Sequence, residues 1–403
     1  MKLEDKAFAE HFDLLKCIQC GKCTGGCPVS LKSRLNVRRL VNDAILREDP
    51  AFLMEKEELW ECTSCGACTV KCPKQAKPSQ VVFGMRSILV ERAKVPVAVR
   101  DALESVVKHG NPWNKLREKR TDWCKDLGLK SVGEGAQVDY LYYVCCTAAY
   151  DPRIQKTALA LVKLLNKAGV NFGTLGDQES CCGNDAFRMG ERGLFEMLVE
   201  DNSALLKDTG VKTILTASPH CFNALKNEYA GLGLEVVHYT QLLARLVREG
   251  RLALQGGSGV PPAKPEDGST ASSASSGAPP AATPAKRVVA YHDPCFLGRQ
   301  NKVFDEPREL IKAVPGVEFV ELDRARERSL CCEGGGGRMW IESTSKKERL
   351  AETRVKDALS KNANILATAC PFCVLTLEDA VKTTGSEEKI RIVDVAELLA
   401  EHL

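Results

Sequence analysis

Long apolar runs are missing from this chain. No stretch of 18 consecutive apolar residues occurs in its 403 residues, and the nearest approach, Val81–Val99, is broken by Arg86, Glu91, Arg92 and Lys94. A membrane-spanning helix needs about 20 such residues, so the chain is expected not to span a membrane by itself. One-sided charge is missing too. Lys+Arg number 56 against 53 Asp+Glu, a balance of +3, too small to argue for nucleic acid or an anionic membrane surface as a partner. Met1–Glu10 show no basic-then-apolar signal segment, which predicts a cytoplasmic chain in a reducing compartment. No G-x-G-x-x-G follows an apolar run, so there is no nucleotide or flavin fingerprint.

Cysteine is what the chain has in quantity, 19 in all. In a reducing compartment such residues are more often metal ligands or catalytic thiols than disulfides. Two runs repeat one spacing: Cys17-x2-Cys20-x2-Cys23-x3-Cys27-Pro28 and Cys62-x2-Cys65-x2-Cys68-x3-Cys72-Pro73. This is the ligand pattern of a bacterial two-cluster ferredoxin, in which the fourth cysteine of each run serves the other cluster. It predicts one [4Fe–4S] cluster on Cys17, Cys20, Cys23 and Cys72, and a second on Cys62, Cys65, Cys68 and Cys27. A pair of zinc knuckles shares the C-x2-C spacing, but gives no reason for the prolines or the repeated x3. The chain is therefore expected to move electrons, which must enter from a partner.

Between the runs, Leu31, Leu35, Val37, Leu40, Val41, Ala44 and Ile45 fall near helical period, beside Arg34, Arg38 and Arg39. The expected organisation is a mostly helical cluster module over residues 1–100 and a connector over 101–135, with a turn at His109–Trp113. A first α/β half follows over 136–253, a Pro/Ala/Gly/Ser linker expected to be disordered over 254–286, and a second half over 287–403. The halves repeat one another. Apolar Tyr140–Val144 runs into Cys145-Cys146, and Val288–Tyr291 into His292-Asp293-Pro294-Cys295; Cys181-Cys182 recurs as Cys331-Cys332, and Cys221 as Cys373. Cys145, Cys181 and Cys182 recur 150 positions on as Cys295, Cys331 and Cys332. Short apolar runs alternating with helical stretches predict α/β halves with largely parallel sheets, and the cysteines fall just past strand ends, where such sheets bind ligands.

The second half offers Cys295, Cys331, Cys332, Cys370 and Cys373. Adjacent side chains diverge, so Cys331 and Cys332 suit a cluster they can straddle better than one small ion. Gly334–Gly337 would let backbone N–H groups approach inorganic sulfide. A Cys370-x2-Cys373 dithiol centre, structural zinc, and buried inert thiols are the competing readings. In the first half Ser218 replaces the first cysteine of the C-x2-C pair. Cys145, Cys181, Cys182 and Cys221 remain as a possible fourth site, with Cys146 in reserve and His220 as a further ligand. That set could hold a [4Fe–4S] or [2Fe–2S] cluster, zinc, or nothing. His292-Asp293 is a candidate proton relay and His238 lies near a strand end, against the ordinary role of such histidines as structural hydrogen-bonders. Arg299 and Arg338 are candidates for an anionic substrate group, against plain solvated charges. Cys124 fits no pattern and reads as a packed thiol.

Cys295…Cys331-Cys332…Cys370-x2-Cys373 resembles the cysteine-rich "CCG" domain of heterodisulfide reductases. The module with Cys17-Ile18-Gln19-Cys20 and Trp60-Glu61-Cys62 is similar to that enzyme's ferredoxin-type subunit. The two together resemble its fused D-type subunit over nearly the whole chain except the linker. The resemblance implies an α-helical two-[4Fe–4S] ferredoxin-like domain followed by duplicated α/β (Rossmann-like) CCG domains. It also implies a noncubane cluster on the five-cysteine set, which would make those five residues catalytic in reducing a disulfide. Iron–sulfur subunits of glycolate and lactate oxidation share the modules without that substrate. They give the alternative of an electron-transfer subunit between a flavoprotein or membrane quinone-reactive partner and another redox enzyme. Through such a partner the chain would sit at the membrane periphery. Glu333 stands where the family motif has glycine; it either adds negative charge beside the thiol pair or points to solvent.

Overall fold

The structure is a computed structural model that describes residues 14–46, 56–229, 231–255, 287–341 and 348–403. The expected linker, from 256 to 286, and the Met1–Glu10 segment lie outside the described residues.

The two cysteine runs are wound by the same backbone device. Gln19 and Gly21 take φ 54° and 79°, and at the equivalent positions of the second run Ser64 and Gly66 take φ 57° and 74°. Left-handed residues turn the chain back on itself, and short helices Lys22–Gly25 and Ala67–Val70 follow. Glycine adopts this conformation at no steric cost, whereas Gln19 and Ser64 each give up about 1 kcal/mol. Helix Val37–Leu46 buries Val37, Leu40, Val41 and Ala44, the i, i+3, i+4, i+7 face of an amphipathic helix. Leu31 leaves the predicted stripe: it ends a 3-10 turn, Val29–Leu31, ahead of the helix and out of its phase, and is exposed. Pro78 opens helix Pro78–Glu91, most of which is buried, Arg86 included. Helix Val97–His109, entered from Pro96 and ended by Gly110 at φ 68°, runs across position 100.

Two parallel sheets follow. The first has the order β1-β3-β2-β4-β5: β1 Lys130–Ser131, β2 Tyr140–Tyr143, β3 Phe172–Thr174, β4 Thr213–Thr216 and β5 Glu235–His238. The second has the order β7-β6-β8-β9: β6 Arg287–Tyr291, β7 Val317–Val320, β8 Ile365–Thr368 and β9 Arg391–Asp394. Without its edge strand β1 the first sheet repeats the second in order and direction. The last strands end alike. His238 and Asp394 both cap the helix that follows, Tyr239–Arg248 and Val395–Ala400. Tyr239 of the first half donates its hydroxyl to Asp394 of the second at 2.6 Å, and Arg153 pairs with Glu378 and Glu397, so the halves lock together on their helical sides.

One apolar core runs through both sheets and takes in Cys145, Cys182, Cys221, Cys332, Cys370 and Cys373. A second consists mainly of the amino-terminal module but reaches Cys146, Cys181, Cys295 and Cys331. Each adjacent cysteine pair is thus split between two cores, the divergence that neighbouring side chains require.

Candidate redox site

Cys17, Cys20, Cys23 and Cys72 line one cavity, walled by Val41, Pro73 and Ala76. Cys72 has left its own run to join the first. Cys27 makes the reverse exchange: its thiol faces Cys65, and Cys62 and Cys68 both face Cys27. Burial pushes the Cys62 thiol up to about 12. The Cys331 contact and burial hold Cys65 well above 9, and burial does the same to Cys68. Crowded buried thiols cannot all ionise beside one another unless a cation sits among them. That donor set fits an iron–sulfur cluster, whose iron supplies the positive charge.

In the second half the five thiols form a chain of side-chain contacts. Cys295 meets Cys331, Cys331 meets Cys332, Cys332 lies 3.2 Å from Cys373, and Cys373 meets Cys370. Ligand atoms of His292, Cys332 and Cys373 all lie within 4.8 Å of one another. Cys370 ends the chain against His220 of the first half. Burial disfavours charge on both groups. It is outweighed: Cys373 and His220 draw Cys370 down to about 5, while Asp185 and Cys370 raise His220 to about 10.

The amino-terminal module and this site touch. The Cys65 thiol faces that of Cys331 and sits in the field of Arg299, and the Cys331 Sγ lies 3.3 Å from Thr63 Oγ1. Here the glycine run has a packing role. A Cβ on Gly335 would stand 2.6 Å from Thr63 O, and one on Gly336 would stand 2.6 Å from Cys62 O. Gly335 and Gly336 therefore make room for the Cys62–Ser64 loop, while Gly334 packs against Phe372 and Gly337 against Met189. Arg299 and Arg338 are not solvated. Arg299 is buried and donates from Nε to Cys65 O at 2.9 Å and from Nη1 to Ser329 O at 2.6 Å. The Arg338 side chain is only 7% exposed and pairs with Glu61 at 3.6 Å. Arg86, which in the sequence is no more than a break in an apolar run, donates to Leu59 O, Cys62 O, Arg188 O and Gly336 O. It ties the module to both halves from one buried point.

The first half holds Cys145, Cys146, Cys181, Cys182 and Cys221 together, and strand register corrects the expected equivalences. Thr216 pairs with His238 as Thr368 pairs with Asp394. Tyr143 lies opposite Thr216, while Tyr291 lies opposite Ala367, one residue short of Thr368. The counterpart of Tyr143 is thus His292, and three residues on, Cys146 matches Cys295. Contacts agree: Cys146 meets Cys181 as Cys295 meets Cys331. Cys146, held in reserve on sequence, takes the expected place of Cys145. The guanidinium of Arg120, buried in an ion pair with Glu179, faces the Cys146 Sγ at 3.6 Å.

Glu333 does not point to solvent. It takes φ 71°, matching Gly183 at φ 76° in the first half, and its carboxylate lies 3.8 Å from Arg349. Burial pushes its carboxyl up against Arg349, Arg338 and Lys32, which pull it down. Asp293 is no free relay: it accepts two hydrogen bonds from Arg308, at 2.7 and 2.9 Å, and one from Arg326 N. Arg354 donates to His292 Nδ1 at 3.2 Å, which leaves the imidazole proton on Nε2. Burial and Arg354 keep that ring neutral. Cys124 stands apart, half-buried, on Thr121 O.

His238 is a structural residue. Its Nδ1 caps helix Tyr239–Arg248, and burial lowers it from 6.5 to about 3. A histidine held neutral in the fold binds its proton first in the unfolded chain. Its effect is absent above pH 6.5, and stability falls by roughly 1.4 kcal/mol for each pH unit below that, down to about 3. His238→Gln is expected to be the flatter of the two proteins when urea midpoints are followed from pH 7 to pH 5. Parallel curves would show that His238 does not carry the loss.

The fold and thiol sets define a ferredoxin-type module joined to two parallel α/β domains with cysteines at the strand ends, a donor set that fits iron–sulfur clusters. Family models match in the same places: a 4Fe-4S dicluster domain over residues 13–76 and a cysteine-rich domain over 140–226 and 289–378. The chain belongs to the family of heterodisulfide reductase D-type subunits. It is 30% identical over 97% of its length to the D-type subunit of the dihydromethanophenazine:CoB–CoM heterodisulfide reductase of Methanosarcina barkeri, of which it covers 94%. It is also 31% identical to a probable iron-sulfur-binding oxidoreductase, FadF, of Bacillus subtilis, over 99% of this chain and 61% of that one. The EtfAB:quinone oxidoreductase of Syntrophomonas wolfei is 32% identical over 98% of this chain and 59% of that one. The chain thus spans about three fifths of those last two relatives. No helix of the described residues is long and apolar enough to cross a membrane.

Proposed function

We propose that this chain is the iron–sulfur component of a heterodisulfide-reductase-type oxidoreductase, carrying electrons from a partner to a disulfide-like acceptor at its second half. In this reading Cys17, Cys20, Cys23 and Cys72 would hold one [4Fe–4S] cluster, and Cys62, Cys65, Cys68 and Cys27 a second. Cys295, Cys331, Cys332, Cys370 and Cys373 would hold a third, noncubane one, and the first half a fourth cluster or zinc. The domains would divide near 1–100, mostly helical, 101–135, 136–253, 254–286 and 287–403, except that helix Val97–His109 crosses the first boundary and β1, Lys130–Ser131, already belongs to the first half's sheet. Bound there, the clusters supply one-electron carriers at potentials set by charge and hydrogen bonds around sulfur. The chain's own residues do the rest. The observation that carries the reading is the Cys65–Cys331 contact, which leaves no gap of protein between the module's second site and the third. Arg299 faces Cys65, Cys295 and Cys331, so its charge favours extra electron density on either side of the junction. His292, whose Nδ1 accepts from Arg354, would offer its remaining N–H as a hydrogen-bond donor to a thiolate at Cys332 or Cys373.

A second reading is favoured by burial: all five thiols of the second half are 8% exposed or less. Such a site suits a relay to a partner protein, a flavoprotein or a membrane quinone-reactive component, at whose surface the chain would sit on the cytoplasmic side. Anaerobic EPR separates the two. The disulfide reading expects a signal that appears only when the oxidised protein is treated with thiol, and that Cys331→Ser abolishes. Signals confined to the reduced protein and indifferent to thiol would leave only the relay.

A further inference from the structure

The first half looks one ligand short, because Ser218 occupies the position of Cys370. Thr216 and Thr368 are equivalent by register, and two residues on stand Ser218 and Cys370. Yet the chain of thiol contacts in the first half has as many links as in the second. Cys146 meets Cys181, Cys181 meets Cys182, Cys182 meets Cys221, and Cys221 meets Cys145. In the second half the last link is Cys373 to Cys370. Cys145 therefore stands at the end of the chain, where Cys370 stands in the other half. Its side chain also faces Ser218 itself, so the thiol lies beside the position the missing ligand would fill.

Its own position has no cysteine in the other half; the residue equivalent to Cys145 is Pro294. The backbone there is unusual. Cys145 takes φ 79° and ψ 143°, a region close to one that only glycine enters freely, and a side chain there costs about 1–3 kcal/mol. The strain is held by a buried carboxylate. Glu179 accepts from Val144 N at 2.8 Å and from Cys145 N at 3.0 Å, while its ion pair with Arg120 fixes it in turn. Two hydrogen bonds to a charged group are enough to hold such a turn. What the turn achieves is to bring a thiol from the end of β2 to the edge of the β4 end.

We infer that Cys145 is a relocated fifth ligand, so that the first half holds an iron–sulfur cluster on Cys145, Cys146, Cys181, Cys182 and Cys221 rather than zinc or an empty scaffold. This rests on the reading of the second half as a five-thiol cluster site, which it copies. The two are tested separately by anaerobic iron, zinc and acid-labile sulfide counts on the full chain. The wild-type chain is expected to carry about 16 Fe, four clusters. Cys145→Ser should lose about 4 Fe with the matching sulfide, and Ser218→Cys in the Cys145→Ser background should restore them by returning the thiol to the position used in the second half. Iron unchanged in Cys145→Ser, a loss that Ser218→Cys does not repair, or stoichiometric zinc in the wild-type chain overturns the inference. Cys331→Ser is the independent arm: iron unchanged there sinks the underlying reading of the second half instead.

Discussion

Arg86→Met is expected to lower stability by about 4 kcal/mol. Arg86 is, with Arg354, the largest side chain buried completely among the described residues. It donates to four carbonyls, those of Leu59 and Cys62 in the amino-terminal module, Arg188 in the first half and Gly336 in the second. Its guanidinium also lies 4.9 Å over the Trp60 ring. Each carbonyl left unpaired inside the protein costs about 1–3 kcal/mol. Part of that is returned because burying the guanidinium is itself unfavourable, which is why burial lowers Arg86 to about 10. The charge survives at pH 7, and four acceptors outweigh its desolvation. Arg86→Lys keeps a charge but not the planar fork that reaches several acceptors at once, so it should fall between wild type and methionine. Anaerobic urea unfolding gives the order. A loss below about 1 kcal/mol in Arg86→Met would mean that the carbonyls find other donors and that Arg86 does not tie the three parts together.

Why the sequence revealed some of this and hid the rest follows from what each residue must do. The eight cysteines of the amino-terminal runs are readable because ligand geometry fixes their spacing along the chain, and the exchange of Cys27 and Cys72 is part of that spacing. The two parallel sheets are readable because the second half repeats the first. The repeat also misled at one place. A constant interval pairs Cys145 with Cys295, while the strands pair Cys146 with it, since an interval cannot register a one-residue change between β2 and the thiol. Gly334–Gly337 announced a close backbone approach, but glycine does not say what approaches, and at Gly335 and Gly336 the Cys62–Ser64 loop does. Arg86, Arg299 and Arg338 are charges with buried partners from distant segments, and nothing near them in the chain marks them. The one local signal was Arg86 itself, a lone charge inside Val81–Leu89, where a helix otherwise buries nearly every side chain.

Gly336→Val puts the junction itself to the test. Gly336 takes φ 65°, and a Cβ there would stand 2.6 Å from both Cys62 O and Ser64 Oγ. The conformation alone costs a branched residue about 1–2 kcal/mol, and the collision adds a similar amount because a backbone carbonyl must give way. Roughly 3 kcal/mol is the expected sum. Gly210 separates the two contributions: it has φ 67° with nothing within 4 Å of an added Cβ, so Gly210→Val carries the strain without the collision. The functional consequence is specific to Gly336. Moving the Cys62–Ser64 loop carries Cys65 away from Cys331, so electrons loaded into the amino-terminal module should pass more slowly to the second half. Reduction of the module by an artificial donor should be unaffected. Rapid-mixing spectroscopy that follows both populations gives the answer: fast loading with delayed onward transfer in Gly336→Val, and neither change in Gly210→Val. Onward transfer at the wild-type rate, with the loop displaced, would remove the Cys65–Cys331 contact from the route and with it the main support for the proposed order of sites.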